Sequence, residues 1–204
     1  MIRIVDYGLG NTGALANSYH RMNIDCAIAR TVEDLRDASK IILPGVGSFD
    51  RAMELLEGSG MRQILDQLVN RQGIPVLGIC VGMQILADRS DEGSRPGLSW
   101  IPGRVESFKE RPACSKLPLP HMGWNDVSPV ADHPLFSGLG PRSRFYFLHS
   151  YFLECAQTRQ VAATSEYGQP FASAVHVGNV YGVQFHPEKS HRFGAGLLKN
   201  FASL

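Results

Sequence analysis

Short apolar runs alternate with helix-period patterns through the first ninety residues, and this alternation limits the chain to very few architectures. Residues 2–5, 24–29, 40–43 and 74–79 read as strands, the third ended by Pro44-Gly45. Between them, residues 12–22 and 51–70 carry helical spacing, with a break expected at Gly58-Ser59-Gly60, and residues 81–87 open another helix. Thr31-Val32-Glu33-Asp34 has the form of a capping box opening a short helix. Strands separated by helices require right-handed crossovers, and so a parallel sheet covered on both faces.

The second half changes character. Pro and Gly recur from Gly97 onward, and short alternating segments occur at 104–108, 145–148, 161–164, 172–177 and 180–185. They predict antiparallel or mixed strands joined by tight turns. Residues 191–201 close the chain as a helix with Phe193, Leu197, Leu198 and Phe201 on one stripe. With no internal repeat, low-complexity tract or linker, the expectation is one α/β domain over 1–204. It has a mixed, mostly parallel sheet and flanking helices.

Composition removes several function classes. Of 204 residues, 44% are hydrophobic and the formal net charge is +1, which argues against disorder and against a nucleic-acid partner. The apolar N-terminal run is too short for a leader or a membrane span. Cys26, Cys80, Cys114 and Cys155 are widely spaced, without a C-x-x-C pair. They are expected to be free thiols in a reducing, cytoplasmic setting, without a metal.

One cysteine is different. Gly78-Ile79-Cys80-Val81-Gly82 joins an apolar run to a helical pattern, the G-x-nucleophile-x-G form of a strand-to-helix elbow. Glycines flank the nucleophile because neighbouring backbone passes too close for a Cβ. Such a turn presents Cys80 at the carboxyl end of the sheet, where open α/β folds bind ligands, with the Val81 N–H aimed at the same place. A buried structural cysteine is the competing reading, and it suits Cys26 and Cys155 in their strand-like runs.

A thiol nucleophile needs a base, and the base needs a group to orient it. His186-Pro187-Glu188 follows the strand-like Val183-Gln184-Phe185. Proline fixes φ in that bend, so His186 and Glu188 can turn to one side. The zinc-deaminase use of H-x-E needs a downstream P-C-x-x-C, which is missing. His20, His133, His176 and His191 read as locally satisfied histidines.

A rival signal lies at the start. Gly8-Leu9-Gly10-Asn11-Thr12-Gly13 spells G-x-G-x-x-G after the first strand, with Glu33 twenty residues beyond Gly13. A dinucleotide-binding regulatory protein is the function it would imply. Against this, Asp6-Tyr7 puts a carboxylate where a pyrophosphate would sit, and the second strand ends at Arg30-Thr31 rather than at an acid.

Taken together, the segments resemble the class I (triad) glutamine amidotransferases, and within them the glutaminase subunits of imidazole glycerol phosphate synthases. The matching pieces are Asp6-Tyr7-Gly8-Leu9-Gly10-Asn11, Pro44-Gly45-Val46-Gly47-Ser48-Phe49 and Gly78-Ile79-Cys80-Val81-Gly82-Met83-Gln84. Pro120-His121-Met122-Gly123-Trp124-Asn125, Phe147-Leu148-His149-Ser150-Tyr151 and Gly182-Val183-Gln184-Phe185-His186-Pro187-Glu188-Lys189-Ser190 complete the order.

The resemblance implies the class I amidotransferase fold, with Cys80 as nucleophile, His186 as acid and base, and Glu188 as its orienter. It implies oxyanion donors at Val81 and in the Gly45-Val46-Gly47 loop. Glutamine would be gripped by Gln84, Gly47 and the backbone of His149-Ser150-Tyr151. No cofactor is implied. The implied partner is a (β/α)₈ synthase subunit in a heterodimer, facing residues 6–11, Trp124 and Lys189 and receiving ammonia for histidine synthesis. His121 would be a surface or interface residue. Ser190-His191-Arg192-Phe193-Gly194 resembles instead relatives that feed ammonia to surface-sugar amidation.

Overall fold

The computed structural model describes residues 1–130, 132–140 and 143–204. Four parallel strands come from the first half: β1 (Ile2–Val5), β2 (Cys26–Ala29), β3 (Lys40–Gly45) and β4 (Val76–Cys80). The helices between them are α1 (Thr12–Arg21), α2 (Val32–Leu35), α3 (Phe49–Gly58), α4 (Arg62–Asp66) and α5 (Val81–Gln84). Thr31 and Asp34 make the expected reciprocal capping box on α2. The helical stretch breaks at Gly60, φ 72°, and α4 ends in a π-helical turn over Gln67–Arg71.

The second half supplies β5 (Arg89–Ser90), β6 (Gly103–Ser107), β7 (His121–Pro129), β8 (Ser143–His149), β9 (Tyr151–Cys155), β10 (Val161–Glu166), β11 (Pro170–Val177) and β12 (Val180–Val183). The last element is α6 (His191–Ser203). The large sheet runs β2-β1-β3-β4-β12-β11-β10-β7-β8, and β5-β6-β9 form a smaller one. β12 joins β4 in parallel, with Val183 beside Ile79 in register. Both strands therefore end on the same side of the sheet.

Periodicity does not disclose β7, because Gly123 interrupts its pattern and alternate residues are exposed. Its pairing with β8, from His121↔His149 to Val127↔Ser143, holds it instead. The helix expected over 81–87 stops at Gln84, where Leu98 and Trp100 amides take the Ile85 and Leu86 carbonyls.

The core is continuous across the described residues, from Ile4, Ile42 and Leu77 to Phe145, Phe185 and Phe201. At its centre, α5 lies directly on β3. A Cβ on Gly82 would stand 1.9 Å from the Leu43 carbonyl oxygen, and one on Gly45 2.5 Å from Gly82 N. A Cβ on Gly78 would meet Gly82 O at 2.6 Å. Backbone cannot yield as a side-chain tip can. Gly82→Ala is therefore expected to cost about 3 kcal/mol or more. Gly13, in α1 with open space around its Cβ position, should behave oppositely, Gly13→Ala gaining about 0.5–1 kcal/mol. Urea unfolding of both variants checks the contrast.

Candidate active site

Cys80 ends β4 with φ 57° and ψ −114°, a conformation that costs an L-residue on the order of 1–3 kcal/mol. The packing of Gly78, Gly82 and Gly45 enforces it. The thiol is 4% exposed and opens into a cavity of about 290 Å³. Its Sγ lies 3.9 Å from the Leu148 carbonyl oxygen, and Gln184 Nε2 approaches it at 3.8 Å. Val81 begins α5, so its N–H has no intrahelical partner.

His186 arrives from the end of β12, three residues past Val183. Its amide donates to the Tyr146 carbonyl at 2.9 Å, tying the bend to β8. Ser190 Oγ donates to the His186 carbonyl at 2.6 Å and accepts from the Tyr146 amide at 2.9 Å. The backbone that carries the ring is thus fixed from both sides. Its Nδ1 sits 2.9 Å from Glu188 Oε1, both side chains being buried, so Nε2 is the nitrogen turned to Cys80. Burial disfavours an imidazolium here. Hydrogen bonds to Cys80 and Glu188, and their negative charges, outweigh it and raise the His186 pKa to about 10. Glu188 Oε2 is buried without a partner among the described residues.

Gly47, Val81, Gln84, His149, Ser150 and Tyr151 all line the same cavity. Gly47 has φ 93°, a conformation that glycine adopts at little cost, and a Cβ there would meet nothing within 4 Å. Gln84 Nε2 donates to the Tyr151 carbonyl at 3.0 Å and to Gln184 Oε1 at 3.1 Å, which leaves its oxygen for a ligand. His149 Nδ1 donates to the Tyr151 carbonyl at 2.8 Å. Its side chain is occupied by the protein, and backbone forms that part of the wall.

His121 corrects the sequence expectation of a surface residue. It is 5% exposed, with Nδ1 2.9 Å from His149 Nε2 and its ring stacked on Phe147 and Tyr167. As the first residue of β7 it faces inward, opposite His149. With His149 Nδ1 donating to a carbonyl, His149 Nε2 must accept, and His121 Nδ1 is the donor. Desolvation lowers both histidines, to about 3 for His149 and about 4 for His121.

Glu92 carries no signal in the sequence, where Asp91-Glu92-Gly93 looks like an ordinary turn. It lines the cavity half-buried, and desolvation raises its pKa. One oxygen, Oε2, accepts from the Phe49 amide at 2.8 Å. The glycine-rich N-terminal loop has a packing role. Gly8 and Gly10 take φ of 95° and 90°, a Cβ on Gly10 would touch Pro44 at 2.7 Å, and Asp6 pairs with Arg30. Among the described residues, no group of three His, Cys, Asp or Glu could hold a metal ion, and no helix is long and apolar enough to cross a membrane.

Comparison with known proteins gives the family. The family model for class-I glutamine amidotransferases matches residues 3–203. The chain is 58% identical to the imidazole glycerol phosphate synthase subunit HisH of Bdellovibrio bacteriovorus, over all of both chains. It is 50% identical, again over both full lengths, to the subunit of that name from Leptospira interrogans. Among solved structures, one described as a glutamine amidotransferase superposes with TM-score 0.71 at 20% identity, covering 97% of this chain and 98% of that one. A second glutamine amidotransferase, from Thermotoga maritima, gives 0.64 at 20% identity over 94% and 77%. These two establish the shared fold.

Two measurements follow from the site's electrostatics. All four cysteines are free, and desolvation raises the thiols of Cys26, Cys114 and Cys155, the last to about 12. Limiting iodoacetamide at neutral pH should therefore modify Cys80 first, as peptide mapping would show; equal labelling of all four would refute the assignment. The second concerns His186. A folded pKa of about 10 against about 6.5 unfolded means stabilisation that is complete below pH 6.5 and lost as pH rises through 10. The stability gap between the wild type and Glu188→Gln should be widest near about pH 6 and should close toward about pH 10 in urea titrations.

Proposed function

The chain belongs to the class-I glutamine amidotransferases, and we propose that residues 1–204 form one glutaminase domain whose catalytic triad is Cys80, His186 and Glu188. Its function is that of the glutaminase subunit of imidazole glycerol phosphate synthase in histidine biosynthesis. The observation that carries the assignment is the buried line Cys80–His186–Glu188, with His186 Nδ1 committed to Glu188 at 2.9 Å and Nε2 turned to the thiol.

The chemistry follows from that line. The Cys80 thiolate attacks the side-chain amide carbon of glutamine, and the tetrahedral oxyanion is held by the Val81 N–H and a second N–H from Gly45-Val46-Gly47. Such a donor is worth on the order of 3 kcal/mol. As the C–N bond breaks, the imidazolium of His186 gives its proton to the departing nitrogen, and ammonia leaves. His186 then takes a proton from water. The hydroxide cleaves the glutamyl thioester, glutamate departs and the thiol is restored. Glu188 keeps the ring in one tautomer and stabilises its charge. Gly47, the Gln84 oxygen and the backbone of His149, Ser150 and Tyr151 hold glutamine. The Glu92 carboxylate, with no cationic side chain paired to it among the described residues, suits the α-ammonium.

Ammonia released into water is protonated and lost, so the product must pass directly to a partner. We assign that partner as a (β/α)₈ synthase subunit in a cytoplasmic heterodimer. The cavity mouth supports a docking face. Val46 and Leu148 line it while substantially exposed, and Met122 and Trp124 are 66% and 40% exposed. Lys189 also lines the cavity, with Nζ over the Tyr146 ring.

The test separates ammonia supply from synthesis. A Cys80→Ala complex with the synthase subunit should lose glutamine-dependent turnover yet still form product from ammonium salts at alkaline pH, where unprotonated ammonia is available. The ribosyl-aminoimidazole-carboxamide nucleotide of histidine synthesis should be the acceptor. Turnover confined to a nucleotide-linked acetamido sugar would overturn the histidine assignment in favour of the pathway suggested by Ser190–Gly194. Failure of ammonium to rescue either reaction would remove Cys80 from ammonia release altogether.

A further inference from the structure

The segment that carries Glu92 is exposed and held at few points. Asp91 and residues 93–96 are exposed, and only Glu92 is half-buried. At its start the Asp91 amide donates to the Val105 carbonyl at 2.8 Å and the Glu92 amide to Ser90 Oγ at 3.1 Å; beyond Glu92 its attachments run to α3. Ser48, the N-cap of α3, makes no side-chain capping bond. The Glu92 carboxylate does so in its place, accepting from the Phe49 amide at 2.8 Å. In return, Asp50 grips the loop. Its Oδ2 accepts from the Ser94 amide at 2.9 Å and its Oδ1 from the Arg95 amide at 3.0 Å. These two N–H groups hold the Asp50 carboxyl below its usual range. The fit is tight enough that a Cβ on Gly93 would stand 2.1 Å from Asp50 Oδ1. A further tie to α3, Arg95 to Glu57, joins two exposed side chains and contributes little.

The two carboxylates thus have different tasks. Glu92 reaches the cavity; Asp50 does not line it. Yet without Asp50 the loop loses two charge-assisted hydrogen bonds, and the far side of the loop is released; Glu92 then keeps only its amide bond to Ser90 and its carboxylate bond to Phe49. Phe49 lies two residues beyond Gly47, so one carboxylate touches both the cavity and the helix that follows the oxyanion loop.

We propose that Asp50 is a positioning residue for substrate recognition, which by clamping Ser94 and Arg95 holds Glu92 where its carboxylate receives the α-ammonium of glutamine. Asp50 acts through Glu92 and has no contact with the reacting amide. The proposal rests on the glutaminase reading. Its signature is a defect specific to the ammonium, carried in KM.

The test uses the complex with the synthase subunit, and two ligands: glutamine, and glutaramate, which keeps the carboxylate and amide but lacks the ammonium. KM for glutamine and the inhibition constant of glutaramate are measured for the wild type, Asp50→Ala, Asp50→Asn and Glu92→Gln. Loss of a charged contact should raise KM for glutamine about tenfold in Asp50→Ala, leaving the glutaramate constant within about threefold. Asp50→Asn, retaining one acceptor, should fall between wild type and Asp50→Ala. Added to Glu92→Gln, Asp50→Ala should change KM by less than about twofold, because the two act in series. Equal weakening of both ligands, an effect confined to kcat, or full additivity with Glu92→Gln would overturn the role. Should Asp50→Ala not fold, the same comparison in Asp50→Asn decides. A wild-type complex that does not hydrolyse glutamine would instead refute the glutaminase reading, and this proposal with it.

Discussion

The contact between the first turn of α5 and the end of β3 governs the site. Gly82 lies so close to the Leu43 carbonyl that only a hydrogen fits between them, and Gly78 and Gly45 complete the backbone-on-backbone packing. This approach forces the chain to turn sharply after β4 and holds Cys80 at positive φ. The strain is local, while the packing that sustains it belongs to the centre of the core. A rigid turn also fixes where the thiol points. Because β12 runs parallel to β4 in register, the bend bearing His186 emerges beside it. Sheet order therefore brings together residues more than a hundred positions apart.

The buried histidines show how partner chemistry decides charge when burial alone would not. His186 and His149 both line the cavity and both lose solvation. His186 faces two groups that carry negative charge, Cys80 and Glu188, and its pKa rises to about 10. His149 is desolvated and faces a carbonyl whose hydrogen bond does not outweigh that cost, beside the ring of His121, and its pKa falls to about 3. One is kept ready to carry a proton. The other is a neutral strut, hydrogen-bonded through both nitrogens, that fixes the Tyr151 carbonyl in the cavity wall.

The cavity is assembled from both halves of the chain. The parallel half contributes the elbow and the Gly45–Gly47 loop, and the antiparallel half contributes β8, its turn into β9 and the His186 bend. The loop after β5 closes the remaining side through the Glu92–Phe49 and Asp50–Ser94 bonds. The Glu92 wall of the cavity and the Gly45–Gly47 loop thereby meet at the first turn of α3, which neither Gly47 nor Glu92 belongs to.

The sequence by itself determined the parallel half, the elbow and the His-Pro-Glu bend, because each is a local demand. Periodicity locates a strand or helix through its own side chains, flanking glycines announce a close backbone approach, and proline sets its own φ. The capping box at Thr31 was legible for the same reason. What only the tertiary structure decided were the features whose cause lies far along the chain. β7 exists because β8 pairs with it, and α5 stops early because residues 98–101 take the carbonyls of residues 85–87 that follow it. His121 is buried because strand register turns it toward His149, although its neighbours Met122 and Trp124 are exposed. The G-x-G-x-x-G run shows the limit from the other side: Gly8 and Gly10 take positive φ and Gly10 meets Pro44, requirements that a motif cannot distinguish from a phosphate. Glu92 joined the site for a reason no local pattern holds, since Asp50, whose carboxylate accepts from the Ser94 and Arg95 amides of its loop, lies forty-two residues earlier on another element.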